Sequence, residues 1–389
     1  MDHGRMVRVK FRSTASTAPV PGSRRRTRTI VVGALPVVVL FALTGMTRIP
    51  GTDVDLTVPF AAEGEGPTFN TLGEVDGVPV VDITGVDGDE LDQTSGNLNM
   101  TTVAVRTKMT LPQMMGRWLA SDDTVVPLET VIPANSSADE VARQNAAAFA
   151  SSESNATVAA MNHLGRPLET VIYDVSDGAP ADGTVKTNDV VTSVDGDKVT
   201  LPSDISDAIG GKKPGDEVTL GIRRDGRDVT EQVTLGEMPE ELQGDADVEA
   251  ASGGNGRAYL GVTMVAQPAD GIRVSYNLRD IGGPSAGLMF SLAVVDKLSP
   301  GELSGGEFVA GTGTIDADGA VGPIGGITHK IAAAEHAGAT VFLVPRGNCD
   351  EATSKSYDGD ITLLAVDSLD GAVKALDARN AGQDAETCS

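Results

Sequence analysis

Between Thr29 and Thr47 the chain carries no charged residue, and the run IVVGALPVVVLFALTGM within it is strongly apolar. A helix needs about 17 apolar residues to cross a bilayer, and this run reaches that length. Arg24, Arg25, Arg26 and Arg28 lie immediately before it, whereas the stretch after it holds only Arg48 before turning acidic. The positive-inside rule then puts residues 1–28 in the cytoplasm as a basic tail, residues 29–48 in the cell membrane as a single-pass anchor, and the rest of the chain outside. A cleaved export signal is the alternative. It would need a shorter apolar region and a small-residue cleavage site, which FALTGMTRIPG offers poorly, and it would export the same body.

Residues 1–28 hold eight of the 30 Lys and Arg but one of the 55 Asp and Glu, so the remainder sets 22 cations against 54 anions. A body this acidic repels phosphate backbones, and with 3% aromatic residues it lacks stacking platforms, so nucleic acid is not an expected partner. The four histidines are scattered and form no metal-spaced cluster with the two cysteines, so neither metal nor cofactor is expected. An extracytoplasmic compartment would permit a Cys349–Cys388 disulfide, and two unpaired thiols are the other reading.

At 389 residues two or three domains are expected. DVDLTVPFA (53–61) and LNMTTVAVR (98–106) predict strands of a small β region packed on a later domain. SADE after Ser136 is a capping-box pattern and opens an Ala-rich helix to Met161, read as a spacer; together these make an extracytoplasmic region, 49–163. From 164 to 236, short β-type runs alternate with Gly and Asp turns around one helical DISDAIG. This order resembles a bacterial PDZ domain, most of all in GAPADGTVKTNDVVTSVDGDKV, with Asn188 departing from the glycine such domains commonly carry before the Asp. The resemblance implies recognition of extended peptide segments or termini by strand addition to a sheet edge. Residues 237–257, acidic then Gly-rich, read as a linker.

Two arrangements in residues 258–377 bear on chemistry. In DIGGPSAGLMF, Ser285 stands between a predicted strand, GIRVSYNL, and apolar positions Leu288, Met289, Leu292 and Val295 at helical spacing. A serine there either caps its helix or is a nucleophile beside the free N–H groups of a positive helix end. In VGPIGGITHKIAAAEHAGATVFLVP, the Gly325–Gly326 turn starts a helix with Lys330 in its first turn and Gly338 as its stop. Lysine is disfavoured at that end, yet a general base needs its pKa lowered by about three units, or about 4 kcal/mol. The helix dipole supplies about 2 kcal/mol at most, so burial must do the rest; a solvated surface lysine is the alternative.

Together GGPSAG and GTGTIDADGAVGPIGGITHKIAAAEHAGATVFLVP resemble the proteolytic domain of the Lon family, which uses a Ser-Lys dyad. The resemblance implies Ser285 as nucleophile, Lys330 as its base and Thr312 as the threonine that helps hold them. Gly282 and Thr314 depart from the acidic residue and the glutamate many Lon enzymes carry there. No G-x-x-x-x-G-K-[ST] nucleotide loop occurs, so the order anchor, PDZ, proteolytic domain, with residues 378–389 as a C-terminal tail, is similar to the membrane-anchored, ATPase-lacking Lon-like peptidases of bacteria. The expectation is an α/β (α+β) multidomain chain acting as an ATP-independent serine endopeptidase on exported or membrane-associated polypeptides. Homo-oligomerisation is left open.

Two rivals are kept. Gly283–Gly287 also fits the G-x-S-x-G elbow of α/β-hydrolases, with His329 or His336 downstream as base, although that fold needs a long βα series before the serine. The other is a membrane-tethered PDZ peptide-binding protein with an inactive Lon-like domain. A PDZ-containing Ser-His-Asp protease would need GNSGG, which does not occur.

Overall fold

The structure is a computed structural model that describes residues 46–239 and 258–389, except 53, 87–89, 93, 135 and 280. The expected anchor therefore lies outside the described residues up to residue 45, and the linker does so from 240 to 257. No helix among the described residues is long and apolar enough to cross a membrane.

In chain order the first elements are strands β1 (Phe60–Asn70) and β2 (Asn97–Arg106), helix α1 (Leu111–Ala120), β3 (Thr124–Pro127) and helix α2 (Ala138–His163). Next come β4 (Leu168–Val175), β5 (Val190–Val194), α3 (Pro202–Gly210), β6 (Glu217–Arg224), β7 (Arg227–Thr234) and β8 (Val262–Pro268). The last are α4 (Gly287–Leu298), β9 (Phe308–Gly311), α5 (Ile327–His336), β10 (Val341–Pro345), β11 (Thr362–Val366) and α6 (Leu369–Asn380).

One six-stranded sheet runs β11-β10-β9-β2-β1-β3, parallel from β11 to β2 and antiparallel beyond. The parallel strands carry the near-continuous apolar runs of a sheet covered on both faces, such as VFLVP. The expectation of a separate β region is thereby corrected: β1 and β2 are inner strands of the same sheet as the C-terminal strands. The first predicted strand is also displaced, since only isolated bridges form at Asp55 and Thr57 and the strand itself begins at Phe60.

Helix α4 lies at the centre of the core, with every residue buried except Lys297, as a helix apolar on all sides must be. Helix α2 packs along it and is no spacer. Ser137 caps α2 by accepting a hydrogen bond from the Glu140 backbone N–H at 3.2 Å, and Phe149 meets Phe290 edge to face at 5.7 Å. Alanines and serines dominate the rest of α2, which lets the two helices approach closely.

The second sheet, β7-β6-β5-β4-β8, is antiparallel throughout and encloses its own core with α3. Its last strand, β8, comes from residues expected in the next domain, and Pro268 pairs with Leu168, so the module's entry and exit are register partners. The departure at Asn188 has a simple reason: φ is +71° there, a conformation asparagine tolerates better than most residues. Glu237 pairs with Ala258, so the ends of the linker are held together. The C-terminal tail is tied as well: Cys388 is disulfide-bonded to Cys349, and its backbone N–H donates to the Leu363 carbonyl at 3.0 Å.

Candidate active site

The structure brings the three expected residues together. Helix α4 starts at Gly287 with Ala286 as its N-cap and no side-chain cap, so Ser285 is not the cap. Its Oγ lies 2.7 Å from Lys330 Nζ. The loop before it is fastened to α2, because the Gly283 N–H donates to the Asn145 carbonyl at 2.8 Å and the Ser152 hydroxyl donates to the Pro284 carbonyl at 2.9 Å. A Cβ on Gly282 would stand 2.9 Å from Asn145 Cβ, so α2 occupies the space that an acidic residue at this position would need.

Lys330 is placed by the turn that opens α5. Gly326, its N-cap, has φ +68°, and a Cβ there would meet Val103 Cγ2 of β2 at 2.8 Å, so glycine is required on both conformational and steric grounds. The Lys330 side chain then runs inward and is only 3% exposed.

Thr312, at the end of β9 and fully buried, fixes the direction of the hydrogen bonds. Its hydroxyl donates its single proton to the Ser285 carbonyl at 3.0 Å, so its oxygen can only accept from Lys330 Nζ, at 2.9 Å. In the neutral amine this arrangement commits one N–H to Thr312 and leaves the lone pair available to the Ser285 hydroxyl. Burial lowers the Lys330 pKa from 10.5 to about 7, and no carboxylate among the described residues offsets it. Burial is the cause of this shift, as the sequence reading required it to be for the larger part.

Among the described residues, the backbone N–H groups of Ser285 and Ala286 have no hydrogen-bond partner. They lie beside the Ser285 hydroxyl at a helix start, where donors can receive developing negative charge. The site opens into a cleft of about 910 Å³ whose apolar wall includes Phe69, Met100, Val103, Phe149 and Ile281, and Thr314 also lines it.

The histidines of the elbow reading are engaged elsewhere: His329 Nε2 bonds Thr124 Oγ1 at 2.9 Å, and His336 Nδ1 bonds Glu65 at 2.8 Å. Sequence reasoning missed Asn145 and Ser152, which support the loop from a helix read only as a spacer; their spacing carries no signal for that role.

Residues 146–235 match the family model described as the PDZ domain, and residues 279–377 match that of the Lon protease (S16) C-terminal proteolytic domain. A probable periplasmic serine endoprotease, DegP-like, of Ectopseudomonas mendocina strain ymp is 33% identical over 120 residues, 30% of this chain and 25% of that protein. A Lon protease of Campylobacter concisus strain 13826 is 35% identical over 95 residues, 24% of this chain and 12% of that protein. The crystal structure of the PDZ domain of an SdrC-like protein from Listeria monocytogenes aligns with 25% of this chain and 86% of its own, at 21% identity and a TM-score of 0.20. The chain spans a quarter or less of the length of these curated relatives. It is a mixed α/β multidomain protein with a PDZ module and a Lon-type proteolytic domain.

Proposed function

We propose that this chain is a membrane-anchored, ATP-independent serine endopeptidase with a Ser285–Lys330 dyad, acting on exported or membrane-associated polypeptides. The observation that carries the reading is the buried amine of Lys330 at 2.7 Å from the Ser285 hydroxyl, with its pKa near 7. Neutral Lys330 accepts the hydroxyl proton as Ser285 Oγ attacks a peptide carbonyl. The Ser285 and Ala286 N–H groups receive the oxyanion, and protonated Lys330 passes its proton to the leaving amine. Water then attacks the acyl-enzyme, with Lys330 again as base. Thr312 positions both partners.

The PDZ module supplies peptide recognition. Among the described residues strand β8 is an edge strand paired with β4 alone, so an extended peptide segment adds along its other side. The cystine Cys349–Cys388 accords with an oxidising compartment, and so with a body outside the cytoplasm.

The test is cleavage of an unfolded polypeptide by the wild type, Ser285→Ala, Lys330→Met and the double variant His329→Gln/His336→Gln. Loss in the first two variants with unchanged yield of folded protein, and retention in the third, is expected. Full hydrolysis by Lys330→Met refutes the dyad, and absence of any cleavage product by the wild type refutes the peptidase.

A further inference from the structure

Helix α1, LPQMMGRWLA, buries none of its residues, yet it is amphipathic. Leu111, Met115, Trp118 and Leu119 follow the spacing i, i+4, i+7, i+8 and so share one face. That face is turned away from the protein: the four are 52%, 44%, 64% and 68% exposed, while Met114 and Arg117 on the other side are half-buried. Of the three cations in residues 97–120, Arg106 and Arg117 pair with Asp123 at 3.6 and 3.4 Å, and Lys108 is exposed.

The position of α1 is fixed by main-chain pairing. The Leu56 N–H donates to the carbonyl of Thr47, the last residue of the uncharged run, at 2.8 Å. Thr57 bridges to Thr110, the N-cap of α1, and the Val58 N–H donates to the Met109 carbonyl at 2.8 Å. Two strand spacings and one residue step then hold the start of α1 within about 15 Å of the end of that run. A ten-residue helix is about 15 Å long, so all of α1 stays near that point.

We propose that α1 is an interfacial helix, lying in the outer leaflet of the bilayer that the run Thr29–Thr47 crosses, with Leu111, Met115, Trp118 and Leu119 at the headgroup–acyl boundary. This rests on the anchor reading above. An exposed face of one aromatic and three other apolar side chains, with the exposed Lys108 just before the helix, is what a membrane interface selects. The acidic remainder of the body is repelled from anionic lipid, which favours this face over any other.

Trp118 is the sole tryptophan, so its fluorescence reports this helix alone. The full chain is reconstituted in vesicles of phosphatidylcholine and phosphatidylglycerol, with and without lipids brominated near the headgroup end of the acyl chains, and with iodide on both faces. Flotation of the vesicles measures anchoring separately. The expected result is a blue-shifted emission quenched about twofold by brominated lipid and little by iodide. Leu111→Ser with Met115→Ser should reverse this while leaving the thermal midpoint and the yield unchanged. Flotation with Trp118 open to iodide and unquenched by lipid overturns the inference and leaves the anchor standing. Flotation with Trp118 shielded from both quenchers also overturns it, since a second copy of the chain would then cover the face. Failure to float removes the anchor and the inference with it.

Discussion

Lys330→Met tests the central physical claim without any substrate. Folding takes a lysine of ordinary pKa, 10.5, to a site where it titrates near 7. The 3.5-unit difference corresponds to about 5 kcal/mol of burial cost for the charged form. Below pH 7 both states are protonated and the full cost is present. Between about pH 7 and 10.5 the unfolded chain holds a proton that the folded chain does not, so stability rises with pH by up to about 1.4 kcal/mol per unit. Methionine has similar length and no titration, and the rest of the chain titrates alike in both proteins. The stability of the wild type minus that of the variant should therefore be nearly flat up to pH 7 and then climb by about 3 kcal/mol by pH 9. Urea unfolding at four pH values, with the cystine intact, measures it. A difference that is flat from pH 7 to 9, or that falls, would refute the buried neutral amine and the base role built on it.

In the wild type kcat/KM should rise with pH through about 7, because only the neutral amine accepts a proton; a plateau reached well below that would exclude Lys330 as base. Thr312→Val removes the acceptor for Lys330 and the donor to the Ser285 carbonyl, worth about 1.5–3 kcal/mol for a bond to a charged group, and should lower kcat/KM about 10- to 100-fold with the fold retained. It should also move the pH limb further down, since the ammonium loses a partner. Gly326→Ala should destabilise the protein by about 1–3 kcal/mol in thermal or urea unfolding, and it should reduce activity by displacing Lys330. Cys349→Ser with Cys388→Ser opens a 39-residue loop and should cost about 4 kcal/mol in the chain-entropy account, measured by urea unfolding.

The meeting of Ser285 with Lys330 was legible because it is written in two short turns. PSAG sets Ser285 before a helix, and PIGG sets Lys330 inside one. Capping signals likewise gave α2, and unbroken apolar runs gave β10. What was not legible is non-local. Strand β1 reads FAAEGEGPTFN, and its Gly64, Gly66 and Pro67 are poor strand formers; pairing with β2 across a register shift between Glu65 and Thr68 overrides that preference. That β1 and β2 share a sheet with strands about 200 residues later, or that β8 closes the PDZ sheet, depends on partners no local window contains. The supporting role of α2 was hidden because small residues that fit against α4 look like residues that merely favour a helix.

The pairing of Leu168 with Pro268, continued by the Ala269 N–H on the Pro167 carbonyl at 2.9 Å, makes the peptide-recognition module a removable cassette. Both its ends pass through one two-stranded neck, so a tight turn joining Arg166 to Asp270 would excise about a hundred residues while leaving the chain on either side on its present path. Ser285, Thr312 and Lys330, and the Asn145 and Ser152 that support the serine loop, all lie outside the excised part. Such a deletion would separate delivery from restraint: a slower enzyme would mean the cassette brings substrate to the cleft, and a faster one that it holds substrate away.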